Sequence, residues 1–409
     1  MTLRASAIFI ALAGTFLGGG TQAADGDAAS ARYRVSELSN MLRILRHAED
    51  DVALGLPDAQ KRRRQTLKAI SECIVVTNMQ TLISANGGDD VLALELSGAH
   101  IQMFGKALEK NNWSENNQTL GRAILTLRQG SYQEAKALLA TVDHASLPTT
   151  ARIPLALVEA RISSDDGAEQ ALRHLQQARI SVPGTGLEEA ILRQEIIVLL
   201  KLGRVNQVGD VIATYLRRYP NSDYWGRYAP QLVRLILRTE TFASDDIIKA
   251  AQSIHEQEGA KHYRRLLLML SRGLAMKGQF AQATKLAAYV SDNEPGQSDM
   301  KRSAELYRRV SAINVGVGED WLHELQDLDV RAYRPDEQKL IYAAIDVARD
   351  VIVGFEHTNG RSRDGVFTGV AKTPTDEQLA SVSPLAGDLS NRVEAGLKEA
   401  QVSLGGLAK

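Results

Sequence analysis

Gly130-Ser131-Tyr132-Gln133-Glu134-Ala135 and Gly278-Gln279-Phe280-Ala281-Gln282-Ala283 read as two copies of one turn. Pro148 follows the first, and Pro295 lies 17 residues after the second glycine. Gly203-Arg204-Val205 with Pro220, and Gly167-Ala168-Glu169-Gln170-Ala171 with Pro183, are looser copies. The glycines at 130, 167, 203 and 278 step by 37, 36 and 75, so one copy is missing, with its turn near Thr239-Glu240-Thr241-Phe242. A period in this range belongs to stacked helical hairpins. Glycine ends a first helix in a left-handed cap. A bulky residue two positions on plugs the angle between the helices, and a small residue near the start of the second helix lets the backbones approach. Proline cannot continue that helix, so the next unit begins. One hairpin cannot bury its apolar face alone, and stacking makes the core continuous. The pattern resembles the tetratricopeptide repeat. The alternative is an irregular helical bundle.

Composition agrees. Ten prolines in 409 residues are about half the ordinary share. Apolar residues make up 44% and charged residues 24%, which suits a chain with a real core. The sum is an all-α, tetratricopeptide-like solenoid with irregular terminal helices. Its expected parts are a signal peptide (1–24), N-terminal helices (33–112), degenerate repeats (113–296), C-terminal helices (297–356), and a flexible linker with a weakly anchored terminal helix (357–409). Val35, Leu38, Leu42 and Leu45 mark one face of the first helix. A long second helix is expected from Pro57-Asp58 to about Ala85, closed by Asn86-Gly87-Gly88, with Asp89-Asp90 starting the next. Later helices are expected over 298–315, 319–329 and 336–355. Ser164-Asp165-Asp166 and Ser244-Asp245-Asp246 read as helix caps. The best strand candidate is Val366-Phe367-Thr368.

Arg4 followed by the apolar run Ala5–Leu17, three glycines and small residues at 21–24 reads as a cleavable Sec-type leader. An uncleaved anchor is the alternative. The mature chain is then expected in the periplasm with no membrane span. Lys and Arg total 48 against 49 Asp and Glu, a balance that argues against a sequence-independent nucleic-acid binder. The single Cys73 rules out an intrachain disulfide and reads as a buried small apolar residue.

No phosphate loop, Gly-x-Ser-x-Gly or His-Glu-x-x-His occurs, so no catalytic residue, cofactor or metal site is expected. Gly184-Thr185-Gly186 reads as a turn. His255 and His262, seven apart, are the only close helical pair and a weak metal candidate. Two surface features remain. Lys61-Arg62-Arg63-Arg64 is either a solvated face or a basic patch for an acidic partner. Tyr215, Tyr219, Tyr224, Trp225 and Tyr228, interleaved with Arg217, Arg218 and Arg227, fall within 14 residues. Tyr, Trp and Arg are typical interface anchors. We therefore take Tyr215, Arg218, Tyr219, Tyr224, Trp225, Arg227 and Tyr228 as candidate partner-binding residues, with packing between repeats as the alternative.

Leu155-Ala156-Leu157-Val158-Glu159-Ala160, Pro183-Gly184-Thr185-Gly186-Leu187-Glu188-Glu189-Ala190 and Tyr215-Leu216-Arg217-Arg218-Tyr219-Pro220-Asn221-Ser222 resemble the MotC motility proteins of rhizobia and their alphaproteobacterial relatives. The resemblance implies a non-enzymatic periplasmic protein needed for flagellar rotation, acting on the periplasmic part of the stator protein MotB. It carries over no functional residue and does not reach the tail after 357. A general envelope-assembly or peptide-binding adaptor, and a cell-wall hydrolase, are the alternatives.

Overall fold

The computed structural model describes residues 23–76, 83, 87–110, 113–163, 167–239, 244–254, 257–312 and 319–358. The leader up to residue 22, the Ser164–Asp166 cap, the Glu240–Phe242 turn, His255, the strand candidate at 366–368 and the tail from 359 lie outside these residues, as do the Cys73 side chain and most of 77–86. Every regular element among the described residues is helical. Four helices come first: α1 (Ala23–Ala53), α2 (Ala59–Val76), α3 (Gly88–Leu96) and α4 (Phe104–Lys110). Five helix pairs follow: α5 (Glu115–Arg128) with α6 (Tyr132–Leu139), α7 (Thr149–Ile162) with α8 (Ala168–Ile180), α9 (Gly186–Lys201) with α10 (Val205–Arg218), α11 (Trp225–Ile236) with α12 (Ser244–Gln252), and α13 (Gln257–Met276) with α14 (Phe280–Asn293). The chain closes with α15 (Asp299–Ser311), α16 (Glu319–Gln326) and α17 (Pro335–Thr358).

Gly130, Gly203 and Gly278 stand at φ of 82°, 68° and 73°, each between the two helices of a pair. Pro148, Pro183 and Pro220 each fall in the gap before the next pair, and Pro295 falls in the gap before α15. Ala135, Val208 and Ala283, five positions after their glycines, are buried. Two details differ from the expectation. Gly167 has φ of −98° and opens α8 as its N-cap, so the left-handed glycine in this part of the chain is Gly184 instead. Tyr132 is 60% exposed and plugs nothing, whereas Val205 at the same place is 3% exposed. Gly87, at φ of −80°, likewise opens α3 rather than closing α2. Gly88 beside it packs against the Trp113 ring, which a β-carbon there would approach to 3.1 Å.

The fourth pair is the one without a turn glycine. Here α11 leans on α9 and α13 while α12 leans on α10 and α14, so the two helices contact their neighbours more than each other. Nothing lies within 4 Å of where a β-carbon would sit on Gly130, so its requirement is purely conformational. A β-carbon in the left-handed region costs roughly 1–2 kcal/mol. Gly130→Val is expected to lower the melting temperature by that equivalent, read by circular dichroism. An unchanged melt would count against the hairpin.

The N-terminal helices lie along the row formed by the first helix of each pair: α3 packs on α7, and α1 packs on α9. Gly186 N donates to Asp50 Oδ1 at 2.7 Å, and Asp223 N donates to Val52 O at 3.3 Å. A β-carbon on Gly186 would sit 2.5 Å from the Glu49 carbonyl oxygen. One on Gly55 would overlap the Asn221 carbonyl. This docking explains the sequence of α9, which is apolar on more than one face (Ile191, Leu192, Ile196, Val198, Leu199, Leu200) because neighbours cover it on several sides. The apolar interior falls into two clusters. One joins α1–α6 to α7 through Ala151 and Leu155; the other runs from Ile153 and Ala156 of the same helix to Ala348 in α17.

At the C-terminal end, Glu337 in the first turn of α17 accepts from Tyr307 Oη at 3.0 Å and from Arg334 Nη2 at 2.8 Å. Burial alone would raise this carboxyl, but Arg334, Ser303 and Tyr307 together hold it at about 2, below its ordinary 4.5. A lowered folded-state value means stability that is complete above the unfolded value and is lost as pH falls through the folded one. Between pH 4.5 and 2 the melting temperature of the wild type is expected to fall more steeply than that of Glu337→Gln. Parallel slopes would show that Glu337 carries none of the acid dependence.

Candidate functional site

The second and third of the quoted motifs meet at the start of α9. Thr185 caps the helix, its hydroxyl accepting from Glu188 N at 3.3 Å. Acids in a first turn suit the positive end of the helix dipole. Both here are buried, Glu188 at 2% exposure and Glu189 at 0%. Buried carboxylates need partners, and the segment 215–222, with Gly184 and Arg193, supplies them. Glu189 takes Arg193, one turn on, through Nε at 3.0 Å to each oxygen and Nη2 at 2.8 Å. Its Oε1 also accepts from Tyr215 Oη at 2.6 Å and Ser222 Oγ at 3.0 Å. Glu188 accepts from Gly184 N at 2.7 Å and Tyr219 Oη at 2.8 Å, and pairs with Arg218. Burial would push the Glu188 carboxyl up, yet Arg218, Gly184 and Tyr219 hold it below its ordinary value. Burial, with Glu189 beside it, raises the Tyr215 hydroxyl well above the usual tyrosine range, so it stays a donor.

The rings stack on this network. Tyr215 lies 5.5 Å from Trp225, 6.1 Å from Tyr219 and 6.3 Å from Tyr228 between centroids. Tyr228 Oη donates to Arg193 O at 3.0 Å. Tyr215, Tyr219, Trp225 and Tyr228 are all buried. This corrects the partner-binding expectation for those four: their faces and hydroxyls are taken up inside the chain, and they join the third hairpin to the fourth. Tyr224 is half-buried beneath the Arg193 guanidinium, 4.3 Å from its ring. Only Arg218, with 48% of its side chain exposed, and Arg227 face outward.

Beside Trp225 the row of first helices opens into a cleft of about 460 Å³ between α11 and α13. Trp225, Ala229 and Pro230 line one wall and His262, Arg265 and Met269 the other, while Gly55 and Pro220 close the end where α1 docks. An apolar cleft edged by one permanent cation can take an apolar side chain and a neighbouring acid from a partner segment.

The family described as Chemotaxis protein MotC matches residues 1–404. The chain belongs to the MotC family. The Chemotaxis protein MotC of Rhizobium meliloti (strain 1021) is 24% identical over 344 residues, covering 83% of this chain and 77% of that one. The match includes the tail after 357, which the motif resemblance did not reach. Two MotC-like motifs, 183–190 and 215–222, thus form one buried polar and aromatic knot that closes the third hairpin, and Trp225 and Tyr228 of α11 pack onto it.

The basic run at the start of α2 is partly spent inside this MotC-family chain. Arg62 donates to Asp51 Oδ2 at 2.8 Å and Arg63 pairs with Glu49 at 3.3 Å, both on α1, leaving Lys61 and Arg64 exposed. Of the histidine pair singled out above, His262 sits edge-on to Trp225 at 6.2 Å. Sequence reading missed a different group, His144, Glu159 and His174, which converge from three segments. Glu159 Oε1 meets His144 Nε2 at 2.9 Å and Oε2 meets His174 Nδ1 at 3.1 Å. The Glu159 bond raises the His144 pKa above its ordinary value. Spacings of 15 residues carry no motif, so nothing in one sequence marks the group. Among the described residues no helix is long and apolar enough to cross a membrane.

Proposed function

We propose that this chain is a periplasmic helical-repeat scaffold required for flagellar rotation, and that it binds the periplasmic part of the stator protein MotB. Membership in the MotC family, matched over residues 1–404, carries the reading. The architecture supports it, because stacked hairpins present a long surface built for protein contact. The cleft between α11 and α13 is the contact surface we favour, since Arg265 and the exposed edge of the first-helix row remain available there after α1 has docked. A strain lacking the gene should build full flagella and fail to rotate them. The purified chain should retain the periplasmic part of MotB in a pull-down. Normal swimming of the deletion strain would overturn the reading.

A further inference from the structure

We propose that His144, Glu159 and His174 bind one divalent transition-metal ion, with zinc the ion their donors suit best. Two imidazoles and one carboxylate are the three-protein-ligand set of open zinc sites, whose fourth position is left to water. The donors come from three separate places: a 3-10 turn (His144–Ser146) after the first hairpin, α7 and α8. In a tetrahedral centre with bonds of roughly 2.0–2.1 Å, adjacent donors stand about 3.3 Å apart. Here the two nitrogen-to-oxygen spacings are 2.9 and 3.1 Å, and all donor atoms lie within 4.8 Å of one another. The imidazole rings are 4.8 Å apart between centroids at 41°, so a small rotation of each aims both lone pairs at one point.

The surroundings allow that rotation. Side-chain exposures of 26%, 15% and 28% leave the group partly desolvated yet open on one side. Among the described residues, neither ring's other nitrogen makes a hydrogen bond, so each can carry its proton there and present a lone pair to an ion. The same lack of outer partners lowers the affinity that such a site can reach. Arg152, whose positive charge acts on His144, is turned to the Thr149 hydroxyl at 3.2 Å. A carboxylate held only for structure would be served by one permanent cation, whereas two weak bases converge on this one. A bound ion would clip the turn after the first hairpin to the second, at a junction where a solenoid depends on contacts between neighbours.

Zinc chloride titrated into the chelator-stripped full chain, followed by calorimetry, is expected to show one ion per chain. Cobalt(II) should give the visible absorption of a tetrahedral N/O site. Glu159→Gln keeps the side-chain volume and one acceptor oxygen, and His174→Ala removes a ring at the partly exposed edge. Each should weaken zinc binding at least about a hundredfold while circular dichroism is unchanged, since outer-sphere changes alone reach that size. His323→Ala, exposed on α16, should leave the affinity as it is. No binding at about 100 µM zinc, or equal affinity in the wild type and Glu159→Gln, would reduce the trio to a hydrogen-bonded cluster and overturn the proposal.

Discussion

Trp225→Ala is expected to destabilise the chain by about 3–5 kcal/mol, the cost of removing a large ring from a packed core. Trp225 is 4% exposed and lies within 5.5 to 6.2 Å of Tyr215, Tyr228 and His262 between centroids. Only its edge reaches the cleft. Because each hairpin in a stacked array rests on its neighbours, the loss should be local. Amide exchange should quicken across α9–α13 and stay slow in α5. The urea midpoint of the whole chain should fall, and this should be the larger effect, the folded remainder losing only the contact that the edge of the ring makes in the cleft. The opposite pattern is an unchanged midpoint with binding weakened about thirty-fold, or ~2 kcal/mol. It would restore Trp225 as a partner anchor.

Where the sequence was legible, one physical requirement picked out one residue. Gly130, Gly203 and Gly278 could be read as caps because a positive φ is open to glycine and to little else. Prolines marked the gaps between pairs because they cannot extend a helix. Gly167 misled because glycine is also a tolerated N-cap, and its neighbours offer no way to tell the two roles apart. The aromatic–arginine segment misled for a different reason. Tyr, Trp and Arg serve both an interface and a buried polar core, and only the partners decide. Those partners, Glu188 and Glu189, lie about 30 residues upstream, where they read as ordinary first-turn acids. The docking of α1 was beyond reach altogether. It joins Asp50 to Gly186 across 136 positions, and its one trace was the unusually apolar α9.

Glu189 should prove as hard to replace as the rings around it. Glu189→Ala would remove the carboxylate that holds Arg193, Tyr215 and Ser222 at once. Breaking a buried pair by deleting one member typically costs 3–5 kcal/mol, because the other charge is left without water or partner. Arg193 is poorly placed to escape, since its guanidinium lies against the Tyr224 ring at 4.3 Å and its carbonyl takes the Tyr228 hydroxyl. Glu188→Ala should cost less, because Arg218 is already half in solvent and can rehydrate. The pair of substitutions Glu189→Leu and Arg193→Leu together should recover most of the loss of Glu189→Ala, since replacing both members of a buried pair with apolar residues is often close to neutral. Denaturant midpoints of the three variants test this ordering. If Glu189→Ala melts with the wild type, the knot is not what holds α9 to α10 in the third hairpin. The continuous apolar contacts of α9 and α10, among them Ile196, Val208 and Ile212, would then hold the hairpin alone.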